Sequence, residues 1–219
     1  MKKQPIVQKP APGKARRTPS RGVLYALCGV LVALIVLGIF LLTRGGGSDT
    51  PDLGTDPIAI EIRVRDHGVI RAELYPETAP ITVANFLSLV DRGFYDGLTF
   101  HRIISGFMVQ GGDPNGNGTG GSGKNIKGEF SANGVANPLR HTRGVLSMAR
   151  ANDYNSASSQ FFIMHADASY LDGQYAAFGK VTSGMEVVDA LCRDTPVTDR
   201  NGTVARQNQP VIESIVRVK

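Results

Sequence analysis

A chain of 219 residues with 42% hydrophobic and 20% charged side chains has the composition of one globular domain plus an appendage, which excludes a disordered or fibrous protein. Its formal charge of +5 is unevenly placed. Residues 1–44 carry eight Lys/Arg and no acid, so the rest holds 16 basic against 19 acidic side chains and gives no ground for a nucleic-acid partner. The two cysteines, Cys28 and Cys192, suit neither a disulfide framework nor a Cys-rich metal site.

Residues 1–21, rich in Lys, Pro and Arg, read as a disordered basic tail. Residues 22–42 are 21 uncharged, mostly apolar positions. At about 1.5 Å per residue a helix of that length matches the ~30 Å hydrocarbon core of a bilayer. A cleaved signal peptide would have a shorter apolar stretch ending in a small-x-small site, so an uncleaved transmembrane anchor is expected. Seven basic residues precede the span and only Arg44 closely follows, which places the N-terminus in the cytoplasm and the remainder outside. Residues 43–56, with Gly45-Gly46-Gly47-Ser48, read as a flexible linker.

From residue 57 to 219 the pattern is that of one folded domain. Ile58 to Arg65 alternates apolar and polar residues, turns at Asp66-His67-Gly68, and alternates again from Val69 to Tyr75, which predicts a hairpin. Glu77 to Asp91 predicts a helix: Pro80 lies near its start, and Val83, Phe86, Leu87 and Val90 form an apolar stripe. Strands are expected at 99–103, 107–110, 144–148, 161–165, 176–181 and 211–218, and a short helix at 184–191. Many short strands and few helices predict an all-β-dominated domain, a closed eight-stranded antiparallel barrel capped by two helices and preceded by the transmembrane helix. Side chains fill a barrel of that size, so a site belongs on its outer wall.

Several motifs fail on inspection. Gly116-x-Gly118-x-x-Gly121 has dinucleotide-binding spacing but no helix start after it. Asp113-x-Asn115-x-Asn117-Gly118 begins like a calcium loop, yet Lys124 occupies the position of the bidentate Glu. The stretch reads as a mobile Gly-rich surface loop. Four scattered histidines give no ligand spacing, and no nucleophile elbow is present.

What remains is Phe100-His101-Arg102-Ile103-Ile104-Ser105-Gly106-Phe107-Met108-Val109-Gln110-Gly111-Gly112-Asp113. It is joined by Gly144 to Ala149, Ser159 to Ile163, Leu171-Asp172-Gly173 and Phe178 to Val181. These blocks, in this order, resemble the cyclophilin family of peptidyl-prolyl cis-trans isomerases over about residues 58–218, in a bacterial membrane-anchored form. The resemblance implies that Arg102, oriented by Gln110 and flanked by His101, is catalytic. It implies an apolar slot for the proline ring lined by Phe107, Met108, Phe162 and Leu171, with Gln160 and the Ala149-Arg150-Ala151 backbone binding the substrate chain. Tyr170 and Tyr175 border the slot where the family often has Trp and His, and Arg150 stands where Asn is frequent. Weakened cyclosporin sensitivity is expected from Tyr170.

The chemistry can be argued from the residues. Twisting an X-Pro bond breaks amide resonance at a cost of about 18–20 kcal/mol and returns a lone pair to the nitrogen. A fixed cationic donor aimed there favours the twisted state over both planar states, and ~7 kcal/mol of such preference would give roughly 10⁵-fold acceleration. No cofactor or metal is needed. The expected partners are proline-containing polypeptides, with the lipid bilayer engaged through residues 22–42, and the protein is expected to be monomeric. A chaperone or scaffold module that holds proline segments with incidental turnover is the alternative reading.

Overall fold

The computed structural model describes residues 53–218. The expected tail, anchor and most of the linker lie outside them, and no helix among the described residues is long and apolar enough to cross a membrane. In chain order the elements are β1 (Ile58–Val64), β2 (Gly68–Leu74), α1 (Pro80–Val90), β3 (Phe100–Ile104), β4 (Met108–Gly111), β5 (Val145–Met148), β6 (Phe161–Met164), β7 (Ala177–Ser183), α2 (Met185–Asp194) and β8 (Ile212–Arg217). Helix α1 starts three residues later than the periodicity predicts. Pro80 has no N–H to give and fits the first turn, where none is needed.

All eight strands join one antiparallel sheet in the order β3-β4-β6-β5-β7-β2-β1-β8. The expected closed barrel is corrected: the sheet curls into an open half-barrel. Its ends meet through the single bridge Thr99↔Val211, with Ile212 N donating to Leu98 O (2.8 Å) and Phe100 N to Pro210 O (2.9 Å). The reason lies at the free edge of β3, which is already taken. Ile103 N donates to Gly202 O (2.8 Å) and Val204 N to His101 O (3.0 Å), so residues 202–204 occupy the edge that β8 would need.

Strands β4, β5 and β6 are buried on both faces. Val109, Leu146, Met148, Phe161 and Ile163 face the main core, where Phe86 packs on Tyr95, Phe161 and Phe178 with ring centroids 5.0–5.4 Å apart. The alternating residues Met108, Val145, Phe162 and Met164 face outward, into a second, smaller apolar cluster with Leu171 and Ala177. An outer wall that is itself apolar gives the sheet a place to build a pocket.

Two long-range polar contacts tie the domain together. The N-cap Ala79 of α1 has no capping side chain. Glu129 supplies the cap instead, accepting from Ile81 N (3.0 Å), Thr82 N (2.7 Å) and Thr82 Oγ1 (2.6 Å). A carboxylate there answers both the orphan N–H groups and the positive end of the helix dipole. In the second contact, buried His141 lies between Asp172 Oδ1 (3.0 Å from Nδ1) and Ser147 Oγ (3.0 Å from Nε2). The arrangement imitates a Ser-His-Asp triad, but Ser147 is 0% exposed, which leaves no room for a substrate. It acts as a staple that fixes the 169–172 turn to β5.

Glu129→Ala should lower the unfolding free energy by about 2–3 kcal/mol, since charge-assisted bonds to a buried helix end are lost, and Glu129→Gln should cost less. Urea denaturation measures both. Burial lowers the His141 pKa from 6.5 against the opposing pull of Asp172, and burial likewise lowers His101 against Asp113. The unfolded chain then takes up protons that the native state refuses. This stability is therefore intact above about pH 6.5 and falls as the pH drops through the depressed native values. Unfolding free energies at about pH 7.5 and 5.5 should show the decline; equal values would mean that neither imidazole resists protonation.

Candidate active site

Strand register assembles the site. Arg102 pairs with Gln110, Gln110 with Phe162 and Phe162 with Ser147, which sets these side chains in one row across β3-β4-β6-β5. Arg102 reaches that row through a bulge. Simple alternation would put Phe100 and Arg102 on the same face. The register shifts between them, with His101 as the extra residue, so Phe100 and Ile103 enter the core while Arg102 and Ile104 face outward.

The guanidinium is held by three bonds. Nε donates to Asn201 O (2.8 Å), Nη2 to Asn201 Oδ1 (3.1 Å) and Nη1 to Gln110 Oε1 (3.2 Å). One N–H on each terminal nitrogen is left over from the guanidinium's five. Gln110 is fixed in turn: its Nε2 donates to Gln160 Oε1 (2.9 Å), and Gln160 Nε2 donates to Gly118 O (3.1 Å) and Gly120 O (2.8 Å). The backbone carbonyls at the end of this chain decide which way both amides point, and so present an oxygen to Arg102. Partial burial pulls the Arg102 pKa down, opposed by Tyr175, Asp199 and Tyr170.

The loop that carries Gly118 and Gly120 lies at the surface, as its composition predicts, and is tied down by hydrogen bonds. Asp113 Oδ1 accepts from Asn115 N (2.8 Å), and Oδ2 accepts from Asn117 N (3.0 Å) and Gly118 N (2.5 Å). Gln209 Nε2 and Arg206 Nη1 clamp it from outside through Gly116 O (2.8 Å) and Asn115 O (3.0 Å). Burial alone would raise the Asp113 pKa, but the three N–H groups outweigh it and the net shift is downward. Gly112 just before it has φ +80°, and a Cβ there would lie 2.6 Å from Ser159 O, so only glycine fits.

A cavity of about 510 Å³ opens beside Arg102, lined by Arg102, Phe107, Met108, Gln110, Ala149, Arg150, Phe162, Tyr170, Leu171, Tyr175 and Asn201. Ten of these eleven are sequence-predicted site residues. The eleventh, Asn201, was missed by sequence reasoning. Its Asn201-Gly202 pair reads only as a turn, and nothing in the sequence links it to an arginine 99 positions away. Tyr170 is 70% exposed and tilts over Phe107 with centroids 6.0 Å apart, while Tyr175 meets Phe162 edge-on at 6.0 Å.

Gln160 and Ala151 line an adjoining cavity of about 580 Å³, which shares Gln110, Ala149 and Arg150 with the first. Ala149 N donates to Gln160 O (3.0 Å) and Ala151 N to Ser156 Oγ (2.9 Å). The Arg150 N–H and C=O have no partner among the described residues, which leaves them open to a peptide backbone. His101 lies elsewhere. Only 4% exposed, it borders a third cavity of about 570 Å³ on the other side of Arg102, and neither ring nitrogen is hydrogen-bonded among the described residues.

The sequence profile of the family described as cyclophilin type peptidyl-prolyl cis-trans isomerase/CLD matches residues 59–217. Peptidyl-prolyl cis-trans isomerase B of Bacillus subtilis is 54% identical over 123 residues, covering 56% of this chain and 82% of that protein. Peptidyl-prolyl cis-trans isomerase-like 1 of Neurospora crassa is 47% identical over 166 residues, 75% of this chain and 96% of that one. Among solved structures, the cyclophilin type peptidyl-prolyl cis-trans isomerase of Cryptosporidium parvum superposes with a TM-score of 0.66 at 32% identity, covering 75% of this chain and 99% of that one. With the fold, the register row and the pocket in agreement, the chain belongs to the cyclophilin-type peptidyl-prolyl cis-trans isomerases.

Proposed function

We propose that Arg102 accelerates rotation about X-Pro bonds by donating a charged hydrogen bond to the prolyl nitrogen as it leaves planarity. The reading is carried by one observation: a guanidinium fixed by three protein acceptors borders an apolar cavity and keeps an N–H on each terminal nitrogen. The proline ring packs against Phe107, Met108, Phe162 and Leu171. The Arg150 N–H and C=O bind the chain beside it, and Gln160 acts through Gln110. Only the twisted nitrogen can accept the bond, so the interaction acts on the barrier rather than on binding. A module that merely held proline segments would not need a preorganised cation at that place, which favours turnover over passive capture.

The protein acts as a monomer on exported polypeptides, anchored in a bacterial cell envelope by residues 22–42. Its N-terminus is cytoplasmic and residues 57–219 lie outside. The charge bias across the span supports this orientation.

In a peptide isomerisation assay, Arg102→Ala should lower kcat/KM by about 10²–10³-fold, with Arg102→Lys nearly as impaired because a point charge cannot hold the three-way fork. Asn201→Ala should lose about tenfold, mostly in kcat, by loosening the guanidinium. Wild-type rates in Arg102→Ala would end the catalytic assignment. For the topology, protease added to intact cells should degrade the domain while the protein stays with membranes and keeps its N-terminus; protection of the domain would reverse the orientation.

A further inference from the structure

Arg150 is fastened from two sides. Its Nε donates to Gln174 O (3.1 Å), and Nη1 donates to Ala151 O (2.8 Å) and Asn152 O (3.3 Å). The guanidinium carbon lies 4.6 Å from the Tyr175 ring centroid, 4.9 Å from Tyr154 and 5.3 Å from Phe130. A free arginine loses rotamer entropy when it engages a ligand; this one has already lost it on folding. Nη2 keeps both N–H groups without an acceptor among the described residues.

The position of this cation matters more than its restraint. Arg150 borders both the proline cavity and the adjoining cavity of about 580 Å³, and it is the one charged residue among those lining the latter. The other walls come from Gly, Ala, Ser, Thr, Asn and Gln residues. They offer an apolar side chain little area to bury, and an anion a polar surround bordered by one charged residue. Asp153, on the same loop, does not line the cavity, and its Oδ1 accepts from Asn155 N (2.8 Å).

We infer that Arg150 determines substrate specificity: in the cavity beside the proline pocket it selects a carboxylate carried by a residue within three positions of the substrate proline. The inference rests on the isomerase reading above and extends it from the reacting bond to its flanking sequence.

The test uses peptides with a single X-Pro bond in which Glu, Gln or Lys is scanned through the three positions on either side. Each peptide is assayed for isomerisation and for binding by fluorescence anisotropy. At one position wild type should favour Glu over Gln by about tenfold in kcat/KM, with Lys worst. The gain should appear in KM and shrink with added salt. Arg150→Gln should bring the Glu/Gln ratio close to one, and Arg150→Lys should restore part of it. Ratios are taken within each variant, so a general loss of folded protein does not imitate the result. A wild type without Glu preference at any position, or a ratio unchanged in Arg150→Gln, overturns the inference. If no peptide is accelerated at all, the isomerase reading fails separately, and the binding ratios still decide the role of Arg150.

Discussion

A cation held by neutral oxygens is the constraint on which the site depends. Arg102 is oriented by one backbone carbonyl and two side-chain amides, and no carboxylate lies within ion-pair distance of it among the described residues. A carboxylate partner would fix the fork equally well, but it would also cancel the charge at the distance where the charge is wanted. Amide dipoles hold direction without neutralising. They lack the pull of an ion pair, so each must itself be immobilised, and the chain from Gln110 through Gln160 to the Gly118 and Gly120 carbonyls does this. The Asp113 carboxylate is buried under backbone N–H groups that hold the loop in shape.

That requirement explains why the half-barrel stays open. To bring Asn201 against Arg102, residues 202–204 must run along β3, and in doing so they displace β8 from a full ladder. Gly202 makes the approach feasible: its φ is +79°, and a Cβ there would collide with the Ile103 carbonyl. The bulge at His101 is the matching adjustment on β3 itself, since without it Arg102 would point into the core beside Phe100. Closure of the sheet is thus given up at the place where the Arg102 side chain is set.

The elements were legible in the sequence because their periods are strong. Ile58–Val64 alternates cleanly, and the Phe86-Leu87-Val90 stripe can only be one face of a helix. The pocket was legible through its ordered blocks rather than through periodicity. Phe161-Phe162-Ile163-Met164 is apolar throughout, which says that both faces are covered but not which residue faces the site. The Gly-rich loop was legible as a surface segment, but composition reports freedom of the backbone and not what Asp113 does with it. Asn201 and Glu129 were invisible for a common reason. Each acts on a partner far along the chain, and a single polar side chain leaves no pattern from which such a pairing could be read.

Arg150 and Tyr175 lie off the Arg102 chain and against each other. Arg150 lies against the face of Tyr175, and the edge of Tyr175 meets Phe162 at the floor of the proline cavity. A histidine at 175, protonated, would set like charge against Arg150; a tyrosine ring offers it a negative face. The two side chains therefore suit one another. Arg150 borders both cavities and Tyr175 the proline cavity, and neither is bonded to the Arg102 guanidinium. Gln110 borders all three cavities, and its amide ties the Arg102 fork to Gln160 in the wall of the second.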